Sequence, residues 1–240
     1  FESLSGLTTT GISLASDPAT LNKSILLWRG ILQWLGGFSS LIVIIWALPF
    51  LGIGHPMSFT GQTPQDNRYN FNLSLRKSIK SLVIIYMALS GVCTISLLCA
   101  GLSAFDSLCY TMSTISTGGF YVGRESPLIQ DTLLIQGILC IFMLAGAMNF
   151  TLHGKVITNS LNIYTRDPET RILVVIILFA IALTIITIDH GPSGLTSVVQ
   201  RVIQLISVFT TTGYPSPELS STIPHFYILM LLVLAVLGGG

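Results

Sequence analysis

Charge is what this sequence has least of. Of its 240 residues only 9% are Asp, Glu, Lys or Arg, while 51% are hydrophobic. A water-soluble domain carries about 25% charged residues, so this chain has too little polar surface to be wetted on all sides. That excludes a soluble enzyme, a disordered tail and a nucleic-acid binder, and leaves an integral membrane protein. Neither sign of charge dominates: 11 basic residues stand against 10 acidic ones, and no nucleic-acid partner is expected. Cysteine is also scarce. Cys93, Cys99, Cys109 and Cys140 lie in apolar surroundings without a C-x-x-C pair and read as buried small side chains. His55, His153, His190 and His225 fall near the ends of apolar runs and share no ligand spacing. No Ser/His/Asp or metal-binding constellation converges, so no catalysis is expected. No basic-then-apolar leader follows Phe1, and Gly240 falls inside an apolar run, so the chain reads as a piece of a longer protein.

What the sequence does have is long uncharged runs. Gly30–Gly54, Ser81–Phe105, Thr132–Gly154 and Ile172–Ile188 hold no Asp, Glu, Lys or Arg. At about 1.5 Å per residue the first two reach roughly 37 Å, enough to cross a hydrocarbon core of about 30 Å with tilt. A fifth run, Leu219–Gly240, becomes strongly apolar after Pro224. Four complete spans and one truncated span are therefore expected, with no charged side chain buried in any of them. Two polar connections, 55–80 and 153–171, carry Arg68, Arg76, Lys77, Lys80, Lys155, Arg166 and Arg171 and are placed in the cytoplasm by the positive-inside rule. Lys23, Arg29, Arg124 and Arg201 fall on the other side, with most of the acids. Those acids read either as a cation-concentrating outer mouth or as ordinary loop composition. Trp28 reads as an interface anchor, and Trp34 and Trp46 as residues packed against neighbouring helices. The outer connections Asp106–Asp131 and Asp189–Glu218 have apolar centres, and Leu195–Phe209 suits a re-entrant helix that enters from outside and turns back.

One pattern occurs three times. It reads Ser, any residue, apolar, Thr/Ser, Thr, Thr/Gly, Gly, apolar or aromatic, at residues 5–12, 113–120 and 207–214. Gly tolerates backbone angles that other residues avoid, so Thr-Thr-Gly at the end of a short helix allows a tight extended turn. Carbonyls left unpaired at membrane depth are permissible where they line a polar pore, and a ring of them replaces the hydration shell of a monovalent cation. The helix points its partially negative C-terminal end at the same place. The candidate cation-binding filter residues are Thr9, Thr10, Gly11, Thr117, Gly118, Gly119, Thr211, Thr212 and Gly213. Close helix packing by small residues accounts for Leu35-Gly36-Gly37, but not for threonine-rich turns confined to the outer connections.

The run Thr8-Thr9-Thr10-Gly11, followed by Leu27-Trp28-Arg29 and Leu32-Gln33-Trp34-Leu35-Gly36-Gly37, resembles the membrane subunit of Trk/Ktr-type bacterial potassium uptake systems. Ser116-Thr117-Gly118-Gly119-Phe120, Asn149-Phe150, Asp167-Pro168-Glu169 and Thr210-Thr211-Thr212-Gly213-Tyr214 fit the same family in the same order. The resemblance implies an all-α membrane protein of the bacterial inner membrane, with helix–pore-loop–helix repeats arranged pseudo-fourfold around a potassium path. Residues 1–54 would end the second repeat, 81–154 form the third and 172–240 the truncated fourth, joined by cytoplasmic loops 55–80 and 155–171. The first repeat would be absent. The resemblance further implies a gate where the last helix of the third repeat is interrupted, here Gly146, Ala147, Met148 and Asn149. The residues themselves fit either a local break or an ordinary close-packed helix. It implies a homodimer above a cytoplasmic nucleotide-binding regulatory subunit, with potassium as the transported ion, bound at the filter residues, and no covalently bound cofactor. A sodium-coupled or sodium-permeable member of the same family and a non-conducting regulatory or assembly subunit are the alternatives.

Overall fold

The computed structural model of the protein describes residues 1–15, 17–47, 64–123, 132–150, 152–154, 164–165, 167–187, 194–215 and 225–238. Most of the 155–171 connection, the acids Glu125, Asp131, Asp189 and Glu218, and His55 and His190 lie outside these residues. Among the described residues there are helices and no strands. In chain order the α-helices are α1 (Glu2–Leu7), α2 (Lys23–Ala47), α3 (Pro64–Cys99), α4 (Ala104–Ile115), α5 (Leu133–Ala147), α6 (Pro168–Thr187), α7 (Gly194–Phe209) and α8 (His225–Gly238). The order is two units of three helices, α3–α4–α5 and α6–α7–α8, preceded by a pair, α1–α2.

The long helices are apolar on the faces that point away from the protein. Val43, Ile44, Ile84, Val92, Val175, Phe179, Leu232 and Val236 are all exposed. Exposed faces of this composition need a lipid solvent, and a helix satisfies its own backbone there. Lys23–Ala47, Arg76–Cys99 and Pro168–Ile185 are long and apolar enough to cross a membrane. The C-terminal turns of α4 and α7 are enclosed instead. Cys109, Tyr110, Thr111, Ser113, Thr114 and Ile115 of α4 are all buried, hydroxyls included. One core gathers Tyr86, Cys93, Leu97, Ile115, Leu139 and Met143 between α3, α4 and α5. A second gathers Ile177, Ala180, Leu205, Phe209, Tyr227 and Leu234 between α6, α7 and α8.

Local chemistry fixes the ends of these elements. At α4, Ser103 accepts from the Asp106 amide at 3.2 Å and donates to its carboxylate at 2.7 Å, a reciprocal N-terminal cap. At α6, Asp167 accepts from the Thr170 amide and hydroxyl, both at 2.9 Å, with Pro168 in the first helical position. After α3 the chain leaves through Gly101 at φ 102°, with the Gly101 amide bonded to Leu98 O and that of Leu102 to Leu97 O. That pair of bonds closes a helix end only when the penultimate residue turns left-handed, which glycine does freely.

Several expectations need correction. α3 starts at Pro64, so the connection expected over 55–80 is helical through its second half. α2 starts at Lys23 and therefore contains Arg29, which is only 3% exposed. A charged side chain is thus buried within a span after all. Trp34 packs as expected, on Phe38 and Tyr86, but Trp46 is 56% exposed. Three of the four cysteines are buried, and Cys99 is exposed.

Candidate ion-selectivity site

Each copy of the repeated pattern runs off the end of a short helix. α1 ends at Leu7, α4 at Ile115 and α7 at Phe209, the same apolar position each time. The next hydroxyl folds back onto the last turn: Thr8 to Leu4 O at 2.9 Å, Ser116 to Met112 O at 2.8 Å, Thr210 to Ile206 O at 2.8 Å. That ties the helix end where its carbonyls run out of backbone partners. Thr9, Thr117 and Thr211 then turn left-handed, at φ 52°, 51° and 57°. For a β-branched residue this conformation costs about 1–3 kcal/mol, and such strain concentrates at functional sites. Two residues on, Gly11, Gly119 and Gly213 are left-handed again, at φ 73°, 77° and 72°. A backbone of alternating hand turns successive carbonyls toward one side, as a dehydrated cation requires. The serine that opens the pattern holds the far end of the turn in two copies: Ser5 donates to Ile12 O at 2.6 Å and Ser207 to Tyr214 O at 3.3 Å.

The three turns lie side by side. A Cβ on Gly11 would sit on the carbonyl oxygen of Gly118, and one on Gly119 would sit on that of Thr212. A Cβ on Gly213 would meet nothing within 4 Å among the described residues. The residue after each glycine leans on the short helix of the preceding copy. Phe120 packs over Gly6 of α1, and the Tyr214 hydroxyl bonds Thr114 of α4 at 3.0 Å. Ile12, which holds this place in the first copy, is 58% exposed. Each turn is backed from behind by a glycine of the following long helix. A Cβ on Gly36 or Gly238 would sit on the carbonyl of Leu7 or Phe209, and one on Gly146 would come within 2.9 Å of Ile115 O.

Gly146 and Ala147 are still helical; the interruption is at Met148, with ψ 156°, and Asn149, after which helical backbone resumes at Phe150. A cavity of about 90 Å³ is lined by Thr9, Ser116 and Thr117 of two turns and by Gly146 and Phe150 from either side of the interruption. The expected gate segment therefore borders the candidate filter, and its break falls two residues after the glycine.

Two side chains of this site were not anticipated. Arg29 lies 2.8 Å from the Glu2 carboxylate, donates to Ser13 Oγ at 3.0 Å and stacks over the Phe120 ring at 4.1 Å. Glu2 also accepts from the Ser13 hydroxyl at 2.9 Å and the Leu14 amide at 2.7 Å. Gln33, one turn further along α2, is fully buried and donates its side-chain amide to Gly118 O at 2.6 Å. The available signal was the pair Arg29 and Gln33 at i, i+4 in an apolar helix, since polar groups at membrane depth face protein and not lipid. Of the acids expected around the outer mouth, Glu2 pairs with Arg29, Asp17 caps a short turn and Asp106, in the first turn of α4, accepts from the capping Ser103 hydroxyl.

The family model described as TrkH, cation transport protein, matches residues 1–240. The chain belongs to the TrkH family. The Trk system potassium uptake protein TrkH of Salmonella typhimurium is 33% identical over 246 residues, covering 100% of this chain and 50% of that protein. The protein of the same name from Escherichia coli K12 is 32% identical over the same extent. An uncharacterized cation transporter of Methanocaldococcus jannaschii is 29% identical across 100% of this chain and 48% of its own length. The crystal structure of the potassium transporter TrkH from Vibrio parahaemolyticus superposes with a TM-score of 0.83 at 29% identity, over 97% of this chain and 48% of that one. The chain thus spans about half the length of the TrkH relatives it matches. The matching family model is described as a cation transport protein, and the superposition bears out the all-helical fold that the sequence led one to expect.

Proposed function

We propose that the protein containing this chain takes up potassium across the bacterial inner membrane, through a filter to which Thr9–Gly11, Thr117–Gly119 and Thr211–Gly213 contribute carbonyls. The observation that carries this reading is the threefold recurrence of left-handed Thr and left-handed Gly, two residues apart, in turns that touch one another. Such turns expose backbone oxygens and no fixed carboxylate, which suits a monovalent cation that must also leave. The uncovered faces of Gly213 and Ile12 lie at opposite ends of the row of turns. A fourth turn, from the first repeat, would cover both and close the ring. Gly146, Ala147, Met148 and Asn149 form the gate beneath it, and potassium is the ion carried, with no other cofactor. The working assembly is a homodimer with a cytoplasmic nucleotide-binding regulatory subunit; the potassium uptake proteins it resembles are named as components of a system.

The test is rubidium uptake by potassium-starved cells that depend on the full-length protein. Gly119→Asp should abolish uptake at unchanged membrane abundance, because its Cβ would meet Thr212 O and its carboxylate would occlude the carbonyls. Normal potassium affinity and normal sodium exclusion in that variant would remove the filter assignment.

A further inference from the structure

The three turns are not chemically equal, and the inequality has a partner elsewhere in the sequence. Thr10 and Thr212 occupy the residue between the left-handed Thr and the left-handed Gly. Each bonds a hydroxyl of its own turn: Thr10 with Thr8 at 2.7 Å, Thr212 with Thr210 at 2.9 Å. The middle turn has Gly118 there, so it has no such hydroxyl. Gly118 lies outside the left-handed region, and nothing in its backbone demands glycine. The demand comes from Gln33. All three atoms nearest to a Cβ built on Gly118 belong to the Gln33 amide. The Gln33 nitrogen donates to Gly118 O at 2.6 Å, and a carbonyl can only accept, so the orientation of the amide is fixed. Gln33 Oε1 is buried and has no hydrogen-bond partner among the described residues. A fully buried amide kept half-satisfied is costly, and is retained where its other half has a task.

We infer that Gln33 is a positioning residue for ion selection: its amide occupies the place of the missing threonine side chain and sets the direction of the Gly118 carbonyl. This deepens the potassium reading and rests on it. The Gly118 oxygen is also the atom against which Gly11 is packed, so one hydrogen bond from α2 holds the seam between two adjacent turns. Gln33 and Gly118 therefore form a matched pair. Removing the amide frees the carbonyl; adding a side chain at Gly118 collides with the amide; doing both gives the middle turn the composition of its neighbours.

The experiment uses the full-length protein in four forms: wild type, Gln33→Ala, Gly118→Thr and the double variant. Rubidium uptake is measured against sodium competition, with melting temperature in detergent recorded on the same four proteins. Gln33→Ala should lose about tenfold in preference for rubidium over sodium, the worth of one well-made hydrogen bond. Gly118→Thr should lose at least that in rate, and the double variant should regain most of it. Unchanged preference in Gln33→Ala, or a double variant no better than Gly118→Thr, overturns the inference. Should Gln33→Ala fail to insert, Gln33→Glu decides. Its protonated acid can donate to Gly118 O and its carboxylate cannot, so the preference should fall as pH rises; a pH-independent preference overturns the inference. Absence of rubidium uptake in the wild type would instead reject the potassium reading. The melting temperatures still test the pair in that case: the two substitutions should be non-additive, and additivity overturns the pairing.

Discussion

Arg29 shows how one residue can be misplaced by an otherwise sound rule. Defining spans by the absence of charge pushed Arg29 outside the first span, whereas α2 carries it inside because Glu2 neutralises it at 2.8 Å. A buried ion pair contributes little net stability, yet removing one partner strands the other and costs about 3–5 kcal/mol. Arg29→Leu should therefore lower the melting temperature of the detergent-solubilised protein markedly, and Arg29→Leu with Glu2→Leu should recover most of the loss. Equal melting of the single and double variants would mean the pair contributes nothing. Gly11, Gly119 and Gly213 were legible at this scale because a left-handed position favours glycine, whereas the equally left-handed Thr9, Thr117 and Thr211 were legible only through the threefold repeat. Gln33 was not legible, because its role depends on Gly118, 85 positions away.

Among the elements, the existence and order of the helices could be read from uncharged runs and from the apolar spacing of 195–209. Their ends could not. α2 and α3 continue into polar sequence at Lys23 and Pro64, since a helix satisfies its own backbone in water as well as in lipid. The interruption after α5 was expected from Gly146 and Asn149, and the structure divides their parts. Gly146 lies against the end of α4, while Met148 and Asn149 carry the break. Shortening the segment should therefore act differently at its two ends. Deleting Met148 and Asn149 in the full-length protein should raise rubidium flux and weaken its dependence on the regulatory subunit while leaving rubidium preference intact. Gly146→Leu should erode preference itself, since a side chain there presses on the carbonyls of Thr114 and Ile115. Unchanged, fully regulated flux in the deletion would make the segment packing and not a gate.

For the whole molecule, the clustering of seven of the 11 basic residues over 55–80 and 153–171 predicts the orientation, although α3 carries four of them on a helix. A cysteine at Asn67 or Asn162 should react with impermeant maleimide only from the cytoplasmic side, and one at Ser126 only from outside. Cys99 is exposed and should first be replaced by serine. Labelling of Asn67 and Ser126 from one face would mean a miscounted span. Among the described residues three helices, not four, are long and apolar enough to cross a membrane; α5, expected to span over Thr132–Gly154, is continuous only over Leu133–Ala147.

Phe120 resting on α1 and Tyr214 bonded to α4 also say something about how such a protein is made. Each short helix is finished only when the polypeptide synthesised after it arrives with its aromatic residue, and each turn keeps an uncovered flank until then. Insertion from the N-terminus would therefore build the ring vectorially, every new repeat completing its predecessor. Of the three turns, the one after α7 is left with the open face of Gly213, for which no later described segment supplies a cover.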